Sequence, residues 1–200
     1  MTTKTYNSAI SGNMLKRIKQ ILAEGAGLRQ SISQDASLLA QITKAAEKLR
    51  SVVNQGGTIY TCGNGGSACD AMHFCEELVA RFKKNRPGIR AMHFCDPGTI
   101  TCWSNDFDFS SVFARQVQTF CTPHDILVVF STSGASPNIV EAVQAARACS
   151  TYSLGLSGKG GGKLKDLCDL AVIVPSDDTA QIQEIHMALV HIFCELLENA

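Results

Sequence analysis

The stretch Asp125-Ile126-Leu127-Val128-Val129-Phe130 runs directly into Ser131-Thr132-Ser133-Gly134-Ala135-Ser136-Pro137. Its first half is a short, strongly apolar run of the kind that forms a strand buried on both faces. Its second half is rich in hydroxyls, and Pro137 suits the first position of a helix. Strand, polar loop, helix is the repeating unit of a parallel sheet. The unit recurs upstream: Thr58 to Cys62 is β-prone, Gly63-Asn64-Gly65-Gly66-Ser67 is a loop, and Ser67 to Phe82 is helical. Ile89 to Phe94, Tyr152 to Leu156 and Leu170 to Val174 read as further strands, and Gly158 to Gly162 as a flexible turn. Ser110 to Phe120 and a long last segment, Thr179 to Glu198, read as helices. The alternation predicts an α/β fold, a three-layer sandwich whose mostly parallel sheet is covered on both faces.

Two helices precede the first strand. Ala9 to Gln30 carries Ile10, Leu15, Ile18, Ile21 and Leu22 on one stripe. The second follows a possible cap at Asp35, keeps the helical period through Leu38, Leu39, Ile42, Ala46, Leu49 and Val53, and stops at Gly56-Gly57. Residues 1–55 are therefore expected to be a helical extension of one domain spanning 1–200. Met-His-Phe-Cys occurs twice, at Met72 in a helical context and at Met92 in a strand context, and is read as coincidence.

Composition limits the function classes. The chain has 200 residues, 45% of them hydrophobic and 18% charged, which suits a folded domain with a sizeable core. The formal net charge is zero, so bulk charge offers nothing to a nucleic acid. No apolar run approaches the roughly 20 residues of a membrane span. Met1 to Asn13 is polar and lacks the pattern of a secretory signal. The nine cysteines include no CxxC pair, and most sit in apolar segments. They are read as reduced core thiols, which with the polar start predicts a cytoplasmic location.

In an open parallel sheet, ligands bind beyond the carboxyl ends of the strands. Both loops lie at such ends. In Gly63 to Ser67, glycines let the backbone approach a ligand, and the helix that follows presents its positive end. A tight strand-to-helix turn explains this loop equally well. Ser131 to Ser136 places four hydroxyls before a helix, with no lysine or arginine. That suits a small phosphomonoester, although Ser136 could simply cap the helix.

Two further pairs lie on helices. His73 and Glu77 are four apart, hence on one face, and Gln183 and His191 are eight apart on the last helix. A histidine on an amphipathic helix is more often a packing residue. Together, two imidazoles, a carboxylate and an amide oxygen suit a mixed metal site or acid–base chemistry. Glu76 competes with Glu77, and His186 with His191.

The run Gly63-Asn64-Gly65-Gly66-Ser67, then Cys69 to Phe74 and Glu76-Glu77-Leu78, resembles the sugar isomerase (SIS) fold, and within it the phosphoheptose isomerases. The resemblance continues through Arg81, Asn85 to Gly88, Asn105-Asp106-Phe107, Ser131 to Gly134, Gly161 to Lys163 and Ile182 to His186, and ends at His191. It implies conversion of sedoheptulose 7-phosphate to D-glycero-D-manno-heptose 7-phosphate through an enediol. That is the first step toward nucleotide-activated heptose for bacterial surface polysaccharide. It also implies zinc, and a homotetramer with sites at subunit contacts. By position, Asn64, Gly65, Gly66, Ser67, Asn105 and Asp106 would contact the sugar, and Ser131, Thr132, Ser133 and Ser136 the phosphate. His73, Glu77, Gln183 and His191 would hold the metal, with Glu77 and Gln183 also touching substrate. Glu77 would be the base and His191 the acid.

The chain departs from that pattern at Ala68, Ala135 and Ala180-Gln181. Two other readings stay open. One is a non-catalytic SIS protein of the kind that binds a replication initiator. The other is an isomerase of a different ketose phosphate.

Overall fold

The residues of Ile59–Gly63 and Ile126–Ser131 are buried throughout, as central strands of a covered sheet must be. The computed structural model describes residues 3–198, with side chains from residue 12 onward. Among these, β1 (Ile59–Gly63), β2 (Ala91–His93), β3 (Ile126–Ser131), β4 (Tyr152–Ser157) and β5 (Leu170–Ile173) pair in parallel, in the order β2-β1-β3-β4-β5. The helices are α1 (Thr3–Gln34), α2 (Ala36–Asn54), α3 (Gly66–Val79), α4 (Pro97–Asp106), α5 (Val112–Phe120), α6 (Pro137–Ala148), α7 (Leu164–Leu167) and α8 (Thr179–Leu197).

Strand side chains alternate between two cores. Ile126, Val128 and Phe130 of β3 pack with α2, α3 and α8, whereas Leu127 and Val129 pack with α5 and α6. The expected three-layer sandwich is therefore present. The chain leaves β1 for β2 on one side and returns to β3 on the other, which opens a crevice beyond the ends of β1 and β3. Both sequence-predicted loops border that crevice.

Two aspartates tie the opposite, amino-terminal edge of the sheet. Asp125 accepts from Thr58 N at 2.8 Å, Thr122 N at 2.8 Å and Thr122 Oγ1 at 2.7 Å, so the starts of β1 and β3 share one carboxylate. Asp169 does the same before β5, accepting from Ser153 N at 2.8 Å and Ser153 Oγ at 2.7 Å.

Several expectations need correction. Pro97–Asp106 is a helix that the sequence reading left unassigned. It buries no residue, so no apolar period marks it, and its start is fixed by Asp96 accepting from Thr99 N at 2.8 Å. β2 is shorter than expected, and α3 ends at Val79 rather than Phe82. The short α7 was also not foreseen. The segment 158–162 is no flexible turn. It forms a 3-10 turn packed on the serine loop, where Lys163 N donates to Gly134 O at 2.9 Å. Gly134 has φ +61°, and a Cβ there would strike the Gly161 carbonyl, so only glycine fits. Finally, Leu15, Ile18 and Leu22 on α1 are about half exposed or more, at 54%, 54% and 68%, so this chain does not bury their stripe. Ile10 lies outside the residues whose side chains are described.

Asp125→Ala should leave Thr58 N buried and unpaired, lowering stability by about 3 kcal/mol. Chemical denaturation followed by far-UV circular dichroism measures this; an unchanged midpoint would remove Asp125 from the account.

Candidate active site

Gly65 caps α3 with φ +55°, a backbone region that L side chains rarely adopt. This turn starts α3 at the crevice, and the 3.6-residue period then places Asp70, His73 and Glu77 along one flank. α8 lies beside α3 and runs the same way. Near the start, a Cβ on Gly66 would collide with the Gln183 side-chain amide. Further along, His73 faces His191. Past the ends, Arg86 donates to Glu77 O and Leu78 O at 2.9 and 2.8 Å, while its Nε lies 3.6 Å from Glu198 Oε1. Glu198 in turn accepts from the backbone N–H groups of Lys83 and Lys84, both at 3.0 Å.

This pairing assembles the cluster. His73 Nε2 lies 3.2 Å from Glu77 Oε1 and 3.3 Å from His191 Nε2, and one ligand atom from each residue falls within 4.8 Å of the others. Donor atoms about 2.0–2.1 Å from a tetrahedral ion stand about 3.3 Å apart, so the spacing suits a metal held by two imidazoles and a carboxylate. Phe82 stacks on the His191 ring, centroids 5.7 Å apart. Sequence reasoning did not single out Phe82.

The competing candidates separate cleanly. Glu76 Oε2 is 3.9 Å from the other ring nitrogen of His73, beyond hydrogen-bond range, and Glu76 is largely exposed. His186 is fully buried, edge-on to Phe130 at 6.0 Å, with Nε2 3.4 Å from Ser157 O and Nδ1 unpartnered. It is a core histidine. Burial lowers its pKa to about 4.

Asp70, named in the sequence only as part of a motif, is buried with Oδ2 unpartnered. Desolvation raises its pKa to about 6, with His73 opposing. The spacing of Asp70 from His73 and Glu77, three and seven residues, is the sequence signal that places it on their flank.

The serine loop is partly committed to itself. Ser131 is buried, and its Oγ accepts from Gly134 N at 3.2 Å while its carbonyl accepts from Ser157 Oγ at 2.8 Å. Ser133 Oγ accepts from Ala135 N at 3.3 Å. Ser136 stands at the N-cap of α6 but makes no side-chain cap bond, so capping does not account for its hydroxyl. In the glycine loop, Ser67 is buried and Gly66 carries Gln183. Asn64 is bonded to Asn138 across the crevice. Asn105 and Asp106 end α4, exposed and bonded to each other at 2.9 Å.

Residues 25–158 match the family model described as the SIS domain. A phosphoheptose isomerase of Campylobacter jejuni is 44% identical over 172 residues, 85% of this chain and 92% of that protein. One from Vibrio cholerae is 42% identical over 91% of this chain and 96% of its own. Among solved structures, a phosphoheptose isomerase from Francisella tularensis superposes with a TM-score of 0.88 at 34% identity, covering 94% of this chain and 99% of that one. One from Neisseria gonorrhoeae gives 0.85 at 33%, covering 94% and 100%.

His186 also makes a pH prediction. Its folded pKa is depressed, so its contribution to stability is full above the unfolded value near 6.5 and is lost as pH falls toward about 4. His186→Leu should flatten that loss, which amounts to about 3 kcal/mol. Unfolding midpoints at pH 7 and 4.5 test this, and parallel pH curves for both proteins would refute it.

Proposed function

We propose, from the premise that this chain belongs to the SIS-domain family and within it to the phosphoheptose isomerases, that it converts sedoheptulose 7-phosphate to D-glycero-D-manno-heptose 7-phosphate. The observation that carries this reading is the convergence of His73, Glu77 and His191 on one seam whose near end meets the glycine loop. An aldose–ketose isomerase needs a base beside an α-carbon and a donor beside the carbonyl oxygen. Glu77 takes the proton from C1 and returns it to C2, while the His191 imidazole serves the oxygens as the enediol forms and collapses. Ser131, Thr132, Ser133 and Ser136, with the N-terminus of α6, receive the phosphate. Asn64, Gly65, Gly66, Ser67, Asn105 and Asp106 receive the sugar hydroxyls.

We assign zinc to the cluster, with His73, Glu77 and His191 as ligands and the Gln183 amide oxygen as the fourth. Bound there, the ion would polarise the substrate carbonyl. His191 Nε2 is both the atom facing the cluster and the candidate acid, so one nitrogen would serve as ligand or as acid but not as both at once.

We further read residues 1–55 as a helical extension of a single SIS domain. The location is cytoplasmic; among the described residues no helix is long and apolar enough to cross a membrane. The enzyme acts as a homotetramer with its sites near subunit contacts. Supporting this, the α1 stripe is exposed, and an apolar groove of about 580 Å³ between α2 and α8 is lined by Leu39, Ile42, Leu189 and Ile192. Sedimentation should give four times the chain mass of 21.5 kDa. A monomer would remove the tetramer from the reading.

Assayed against a panel of phosphorylated ketoses, the enzyme should prefer sedoheptulose 7-phosphate. Glu77→Gln should cost at least about 10²-fold in turnover while keeping the fold. A chelator should suppress turnover, and added zinc should restore it. Turnover of a hexulose phosphate instead would shift the substrate. Activity on none, with zinc supplied, would favour a binding role.

A further inference from the structure

Asn64 and Asn138 are 74 residues apart and join their side-chain amides in a closed pair. Asn64 Nδ2 donates to Asn138 Oδ1 at 2.8 Å, and Asn138 Nδ2 donates to Asn64 Oδ1 at 2.9 Å. The pair spans the crevice, linking the loop after β1 to the first turn of α6 after β3. Asn138 is 2% exposed and directly follows Ser136 and Pro137 of the phosphate loop. An asparagine in a first helical turn usually bonds to nearby backbone. Here both polar atoms of the amide are used across the crevice instead. Reciprocity couples the two orientations, because turning one amide alone would set nitrogen against nitrogen and oxygen against oxygen. Each amide keeps one N–H and one lone pair outside the pair.

We propose that Asn138 is a positioning residue of the isomerase site. It aims the Asn64 amide at the sugar and locks the glycine loop to the phosphate loop, so that both ends of the substrate are gripped at a fixed separation. The inference rests on the isomerase reading given above. Its physical basis is leverage. A phosphate held at one end of a seven-carbon chain orients the reacting carbons at the other end only if the two loops keep their distance. Loss of about 1 Å in such placement can cost about 10²-fold in rate. An apolar pair could fill the same volume, but it would not set the direction of the Asn64 amide.

The full-length wild type and the variants Asn138→Ala, Asn64→Ala and the double variant should be compared in three measurements. These are turnover of sedoheptulose 7-phosphate, calorimetric affinity for that sugar phosphate, and calorimetric affinity for inorganic phosphate. Asn138→Ala should lower kcat about 10- to 100-fold and weaken the sugar phosphate, with inorganic phosphate held within about twofold. The double variant should be about as slow as Asn64→Ala alone, because the two residues act as one unit. The inference falls if Asn138→Ala keeps wild-type kcat and sugar-phosphate affinity. It falls equally if the single losses multiply in the double variant, or if inorganic phosphate weakens in step with the sugar phosphate. A wild type that turns over no ketose phosphate sinks the isomerase reading instead, and the ratio of the two affinities still decides the role of Asn138. Should Asn138→Ala fail to fold by circular dichroism, Asn138→Ser, which keeps one donor to Asn64, carries the same measurements with a smaller expected loss.

Discussion

α3 and α8 run parallel along a single seam, and the chemistry of the molecule depends on their register. Gly66 meets Gln183 near the start, Phe74 packs against Phe193 at 6.4 Å, and His73 faces His191 at 3.3 Å. Arg86 and Glu198 close the far end. The lack of a Cβ at Gly66 leaves room for the Gln183 amide. A slip of one residue on either helix would rotate a cluster side chain by about 100° around its axis and disperse the cluster. Most polar groups at the far end are matched, although Arg86 Nε makes no hydrogen bond. The Arg86 guanidinium satisfies carbonyls that α3 leaves open at its end, and Glu198 receives the two N–H groups that follow.

The sheet supplies the second fixed frame. Its order places the loops after β1 and β3 on either side of one crevice, where glycines and hydroxyls face a shared space. The serine loop is held from beneath. Ser157 bonds to the Ser131 carbonyl, and the 158–163 turn packs on Gly134. The Asn64–Asn138 pair then joins the two sides. The serine loop is thus set in a network of backbone contacts, the kind of rigidity that lets a site bind without first reorganising.

Much of this was legible in residue order. β3 and its serine loop announced themselves by a buried apolar run followed by hydroxyls, and α8 as a long helical segment from Thr179. α4 was not legible, because none of its residues is fully buried and only Ile100 and Trp103 pack on the core, too short a stripe to read. The repeated Met-His-Phe-Cys makes the same point from the other direction. At Met72 it lies inside α3, whereas at Met92 it begins in β2 beside β1. Local propensity is identical for the two copies, so the neighbours decide.

For the site, the sequence by itself determined which residue types are present and which share a helix face. The separation of His73 from Glu77 and the glycine run before α3 follow from chain order and the 3.6-residue period. The tertiary structure alone decided the rest. It ranked Glu77 over Glu76 and His191 over His186, because burial and ring orientation are properties of packing between helices. It bound Asn64 to Asn138 and left Asp70 with a buried, unpartnered oxygen, because such contacts are set by which elements the sheet order brings together. The physical reason is distance along the chain: a periodic rule reaches one or two turns, whereas the contacts that make this site span 74 and 118 residues.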